Sequence, residues 1–209
     1  MTSSEVVVAN LGCRPYSEVL ELMRLFTDGR DQHTRDEIWL LEHEAVFTQG
    51  QSGKSEHLLN PGEIPVIQSD RGGQVTYHGP GQLVAYTLVD LKRKGIGVRA
   101  MVTILENAII GYLATIDIEA SAKKSAPGVY VRDQKIAQLG LRVRRGCCFH
   151  GLSLNVSMDL QPFQRINPCG YEGLEITSIE KLLAPRTVDM KTVIAGLLKE
   201  LLSGLVYNR

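Results

Sequence analysis

Three stretches of the sequence carry residue types able to do chemistry. The first runs Arg71-Gly72-Gly73-Gln74-Val75-Thr76-Tyr77-His78-Gly79-Pro80-Gly81-Gln82, with four glycines in twelve residues. Glycine lets backbone N–H groups come close to a ligand, and Gly-Pro-Gly forces a constrained turn. Polar and aromatic side chains crowd onto that open backbone, as a pocket requires. His78 alone would fit equally well as a hydrogen-bonded core histidine in a bulged hairpin. The second stretch is Asn167-Pro168-Cys169-Gly170. A cysteine between proline and glycine belongs in a loop, where catalytic groups concentrate. Its local setting fits a reactive thiol or a half-buried thiol without a role. The third is Lys135, which shares strand parity with Ala137, Leu139, Leu141 and Val143 and so heads an apolar face. There burial would lower its pKa and a neighbouring thiolate would raise it. The competing reading is a hairpin-tip lysine that reaches water.

Other chemistries find little support. No Gly-Lys-Ser/Thr marks a phosphate loop, and no Gly-x-Ser-x-Gly elbow marks a serine hydrolase. His33, His43, His57, His78 and His150 are scattered, without zinc-ligand spacing to a cysteine, so no metal is expected. Cys13, Cys147, Cys148 and Cys169 form neither a disulfide framework nor a Cys-x-x-Cys pair.

The elements that must position these groups follow from periodicity. Pro15 to Phe26 reads as a helix, with Pro15 in the first turn. Ile38–Leu41, Ala45–Thr48 and Leu83–Leu91 read as strands, and Val66-Ile67 begins an extended stretch. Val98 to Leu113 predicts a central helix whose face is Val98, Met101, Val102, Leu105, Ile109 and Tyr112. Gly128–Val131 and Ile136–Val143 predict a hairpin joined by Arg132-Asp133-Gln134, and Phe149–Val156 a further strand. Thr177-Ser178-Ile179-Glu180 has capping-box form, and Met190 to Leu201 is an amphipathic helix. Interleaved helices and hairpins argue for an α+β fold, a mixed β-sheet flanked by helices.

With 209 residues, 44% hydrophobic and 22% charged, the chain is expected to form one catalytic domain over residues 1–209. Lys plus Arg and Asp plus Glu balance at 23 each, so no global field points to nucleic acid. Two local basic clusters stand out: Lys92-Arg93-Lys94, and Arg142 with Arg144 and Arg145. The latter would suit an acidic protein partner. No signal-peptide pattern and no membrane-length apolar run is seen, and a cytoplasmic protein is expected.

Together the blocks resemble the lipoyl(octanoyl) transferase family. The likeness rests on Arg71 to Gln82, on Gly128-Val129-Tyr130-Val131, and on Lys135-Ile136-Ala137-Gln138-Leu139-Gly140-Leu141. Phe149-His150-Gly151-Leu152-Ser153-Leu154-Asn155 and Asn167-Pro168-Cys169-Gly170 complete it, in the family's order. The resemblance implies the fold of the biotin and lipoate protein ligase catalytic domain. It implies octanoyl transfer from octanoyl-acyl carrier protein to a lysine on lipoyl domains of 2-oxoacid dehydrogenases and the glycine cleavage H protein, without a cofactor. It puts a thioester-forming nucleophile at Cys169 and its partner at Lys135. It places acyl contacts at Arg71, Gly72, Gly73, Gln74, Val75, Thr76, Tyr77 and His78, at Gln138, Leu139 and Gly140, and at Gly151, Leu152 and Ser153. The sequence departs from the pattern at Gln138, where a small residue such as serine is frequent. Other readings on the residues are an ATP-dependent ligase, a thioester hydrolase and a non-catalytic acyl-binding module.

Overall fold

The structure is a computed structural model that describes residues 6–207. Ten strands run along it: β1 (Val7–Arg14), β2 (Glu37–His43), β3 (Val46–Gln49), β4 (Val66–Gln68), β5 (Val75–His78), β6 (Gln82–Asp90), β7 (Ser121–Lys123), β8 (Ala126–Val131), β9 (Gln134–Arg144) and β10 (Cys147–Asn155). The helices are α1 (Tyr16–Gly29), α2 (Leu91–Lys94), α3 (Val98–Ala114), α4 (Ile179–Leu183) and α5 (Met190–Tyr207). Seven strands form one sheet in the order β1-β2-β6-β10-β9-β8-β7, and β4-β3-β5 form a second. β1 lies parallel to β2, and the other pairs of the large sheet are antiparallel. This is the expected mixed sheet flanked by helices.

The central strands read as continuous apolar runs because both of their faces are covered. On β2 and β6, Ile38, Leu40, Leu83, Ala85 and Val89 pack with α3 and α5. The alternate residues Trp39, Leu41, Val84, Tyr86 and Leu88 pack under α1, against Tyr16, Val19, Leu20 and Met23. A third cluster, with Phe47, Val75, Tyr77 and Phe163, holds the small sheet to the segment that precedes Cys169. Burial on two sides explains why a period of two is hidden in these sequences.

The structure corrects several local expectations. β1 is not among the expected strands: it is an edge strand in which no residue is fully buried, and its apolar side is only Val7, Ala9 and Leu11, too short and weak a pattern to stand out. Val98 is exposed, and the buried face of α3 is instead Met101, Ile104, Leu105, Ala108, Ile109 and Tyr112. The cap of α4 is Ser178, whose side chain accepts from the Lys181 N–H, one residue later than the Thr177 capping-box reading. Among the described residues no helix is long and apolar enough to cross a membrane.

Candidate active site

The predicted hairpin brings the first reactive group into place. β8 and β9 pair antiparallel, with Val129 opposite Ala137 and Tyr130 opposite Lys135. One extra residue, Ile136, therefore sits on β9 as a bulge, and alternation does not run through it. Lys135 is almost fully buried, as its apolar strand suggested, but the parity shared with Ala137 is interrupted.

The Lys135 side chain runs back along β8. Its ammonium donates to the Pro127 carbonyl at 2.9 Å and to Cys169 Sγ at 3.1 Å. Gly128, at φ +140°, makes room for it. A Cβ there would meet Lys135 Cε, with the Ala137 carbonyl oxygen at 2.8 Å and Lys135 Nζ at 2.9 Å. Only glycine serves at this position. Burial pushes the Lys135 ammonium down, but the Cys169 thiolate, then Tyr130, more than offset it and leave it above the ordinary lysine value.

Cys169 sits in the short turn Pro168–Gly170, with φ 57° and ψ 16°. This left-handed backbone is uncommon for a residue with a side chain. The turn is tied down by Gly170 N to Asn167 O at 2.9 Å and Asn167 N to His57 O at 2.8 Å. The remaining thiols are held away from the thiolate form. Burial, then Asp90, raises Cys147; burial pushes Cys148 up to about 12; burial, then Glu42 and Glu44, raises Cys13.

Cys169 and Lys135 open onto a cavity of about 380 Å³, a size suited to a small ligand. Of the residues expected to contact a ligand, Arg71, Gly72, Gly73, Gln74, Thr76 and His78 line it, as do Gln138, Leu139, Gly140, Gly151, Leu152 and Ser153. Val75 and Tyr77 do not. They lie on β5, where successive side chains alternate, and pack instead with Phe47, Phe163 and Ile166. Arg71 has a second, structural part. Its guanidinium donates to Thr48 O (2.7 Å), Thr48 Oγ1 (2.9 Å), Gly72 O (2.9 Å) and Gln74 O (2.8 Å). These bonds hold the glycine-rich segment against β3, and Gly72 N to Leu141 O at 3.0 Å fastens it onto β9.

Sequence reasoning missed the polar aromatic wall. Tyr16 stacks on His78 at 5.8 Å between centroids and hydrogen-bonds Ser69 at 2.7 Å. Tyr86 bonds His43 Nε2 at 2.7 Å, and His43 Nδ1 donates to Arg14 O at 2.9 Å. His150, at φ 62°, donates from Nε2 to Asp70 at 2.8 Å. Burial, against the pull of Asp70, keeps His150 below the ordinary imidazole value. Burial would raise Asp70, but bonds from His150 and Arg24 hold it down to about 2. His150 stood inside a quoted motif, yet nothing in the local pattern turned it toward the cavity. Among the described residues no group of three or more His, Cys, Asp or Glu is placed to hold a metal.

Burial lowers His43 from 6.5 to about 4. The unfolded chain therefore takes up a proton before the folded one does. Stability should fall as pH drops from 6.5 to about 4, by up to ~3 kcal/mol from this group. Urea denaturation at the two ends of that window checks this; His43→Gln should reduce the slope without abolishing it, because burial also holds His78 and His150 below the ordinary imidazole value.

The basic clusters are partly spent on the fold. Arg144 and Arg145 pair with Asp28 at 3.0 and 3.2 Å, and Arg93 pairs with buried Asp36 at 2.6 Å. Lys94 donates to Leu205 O at 2.9 Å.

A family model described as "Lipoyl protein ligase A/B catalytic domain" matches residues 15–202. A curated protein named "Octanoyltransferase" from Vibrio vulnificus (strain CMCP6) is 56% identical over 206 residues, 99% of this chain and 94% of that one. Among solved structures, lipoate-protein ligase A bound with ATP superposes with a TM-score of 0.79 at 14% identity, covering 96% of this chain and 85% of that chain. Biotin protein ligase from Aquifex aeolicus gives 0.58 at 14% identity, covering 97% and 70%. At those identities the structures speak for the fold alone.

Proposed function

The chain belongs to the lipoyl protein ligase A/B catalytic-domain family, and from that premise we propose that it moves an octanoyl group from octanoyl-acyl carrier protein to a lipoyl-domain lysine through a thioester on Cys169. It is an acyltransferase whose curated relatives are octanoyltransferases. The observation that carries the thioester reading is the 3.1 Å contact between Lys135 Nζ and Cys169 Sγ at the wall of a largely apolar cavity.

In the first half-reaction the Cys169 thiolate attacks the thioester carbonyl carbon. The tetrahedral intermediate collapses, the carrier sulfur leaves with its electron pair, and the Lys135 ammonium protonates it. Acylation removes the negative charge that held the lysine proton. Burial then favours the neutral amine. In the second half-reaction the acceptor lysine, as a free amine, adds to the thioester. Neutral Lys135 takes the proton released as the C–N bond forms, and Cys169 leaves as a thiolate. The original ion pair is restored, and the thioester's own free energy drives amide formation. The expected lipoyl-domain acceptors include those of 2-oxoacid dehydrogenases and the glycine cleavage H protein.

The test is to mix the protein with octanoyl-acyl carrier protein and weigh it intact. The expected result is one octanoyl adduct that is discharged by added lipoyl domain. No adduct, or an adduct on another residue, would sink the reading.

The seat at Gly128 gives a further expectation. Gly128→Ala should push the ammonium off Sγ by about an ångström and slow adduct formation by about 10²-fold. A variant that acylates at the original rate would show that the seat does not position Lys135.

A further inference from the structure

The intermediate proposed above puts a negative charge on the acyl oxygen, and something must receive it. One backbone candidate is already spoken for, since Gly72 N donates to Leu141 O at 3.0 Å. The cavity holds a side-chain donor that is not. Gln138 is 5% exposed and lines the cavity, and its Nε2 has no hydrogen-bond partner among the described residues. Its other end is anchored: Ser153 Oγ, directly across the β9–β10 ladder, donates to Gln138 Oε1 at 2.8 Å. The amide plane is thereby held with its N–H₂ unpaired. A buried donor left this way costs about 1–3 kcal/mol, a cost that a ligand acceptor would remove.

The cavity brings that donor together with the nucleophile. Lys135, Gln138 and Cys169 all line that one cavity. The Cβ position of Gly128 lies 2.9 Å from Lys135 Nζ, which lies 3.1 Å from Cys169 Sγ. Gln138 thus opens onto the same cavity as the Lys135–Cys169 pair. The bulge at Ile136 allows this, because an uninterrupted strand would turn residues 135 and 138 to opposite faces.

We propose that the Gln138 side-chain amide is a catalytic hydrogen-bond donor to the acyl oxygen, an assignment that rests on the acyl-cysteine reading. As the Sγ–C bond forms, the carbonyl π pair moves onto oxygen and Nε2–H donates to it. On collapse the pair returns and expels the leaving sulfur, and the amide keeps its proton throughout.

Two rates on the same protein test it. One is single-turnover formation of octanoyl-Cys169 from octanoyl-acyl carrier protein. The other is alkylation of Cys169 by iodoacetamide, which needs the thiolate but builds no oxyanion. Gln138→Leu should slow acylation by about 10²–10³-fold, with KM for the carrier protein and the alkylation rate unchanged. The double variant Gln138→Leu, Ser153→Ala also removes the hydroxyl left without its acceptor and should behave alike. Acylation at the wild-type rate would overturn the assignment, as would a parallel fall in alkylation. Failure of wild-type protein to form any adduct would instead count against the acyl-cysteine reading.

Discussion

Cys169→Ala should yield no octanoyl adduct and cut transfer to the lipoyl domain on the order of 10⁴-fold or more. The size of the loss follows from the absence of any substitute nucleophile. Cys147 and Cys148 are buried on β10, with Cys148 pushed up to about 12, and Cys13 is exposed on β1 beside Glu42 and Glu44, which oppose its ionisation. The substitution should leave the fold intact, because the side chain is only partly buried and its one hydrogen bond is with Lys135. Alanine must still adopt φ near 57°, so Cys169→Ser is the companion variant. A serine there lacks an acidity that this setting could exploit and should also form no adduct within one wild-type turnover. Intact mass before and after lipoyl domain is added measures both. Wild-type transfer by either variant would mean that the acyl group reaches its acceptor directly.

Lys135→Met should slow both half-reactions, by about 10²–10⁴-fold, while keeping the volume of the buried stem. Alanine would add a cavity to the chemical loss; methionine isolates the chemistry. Lys135→Arg should not rescue. The lysine reaches Sγ through a channel walled by Gly128 and the Ala137 carbonyl, and a planar guanidinium is wider than an ammonium. The pH profile carries the sign. The folded-state value of Lys135 is raised, so the stabilisation from its pairing with Cys169 is present below 10.5 and is lost only as pH rises through the raised value. Wild-type acylation should therefore hold up well into the alkaline range. Stopped-flow acylation of wild type and Lys135→Met across pH checks this; a methionine variant as fast as wild type would remove Lys135 from the mechanism.

Much of the framework was legible locally. α1, α3 and the β8–β9 hairpin follow from apolar spacing and turn residues, and β6 from a continuous apolar run that is buried on both faces. The chemistry-bearing loops were legible for a related reason. A glycine-rich run and a Pro-Cys-Gly turn make sense only where the backbone departs from regular structure. The contiguous run Arg71 to His78 was too generous: β5 must put Val75 and Tyr77 into the small-sheet core if Thr76 and His78 face the cavity. Arg71 lines the cavity as expected, and its place in space also makes it a strut for Thr48, Gly72 and Gln74, which the sequence did not reveal.

Residue types and their order along the chain were enough to mark Cys169 and Lys135 as candidates. They could not bring them together. The two are 34 residues apart, and their 3.1 Å contact depends on a bulge at Ile136, on the missing side chain of Gly128 and on a turn pinned to His57. The same holds for Gln138, whose side of the sheet is set by that one extra residue. Spacing in sequence determines which groups a single strand or helix can present together. Which groups meet across strands is decided by register and by what the packed core leaves open.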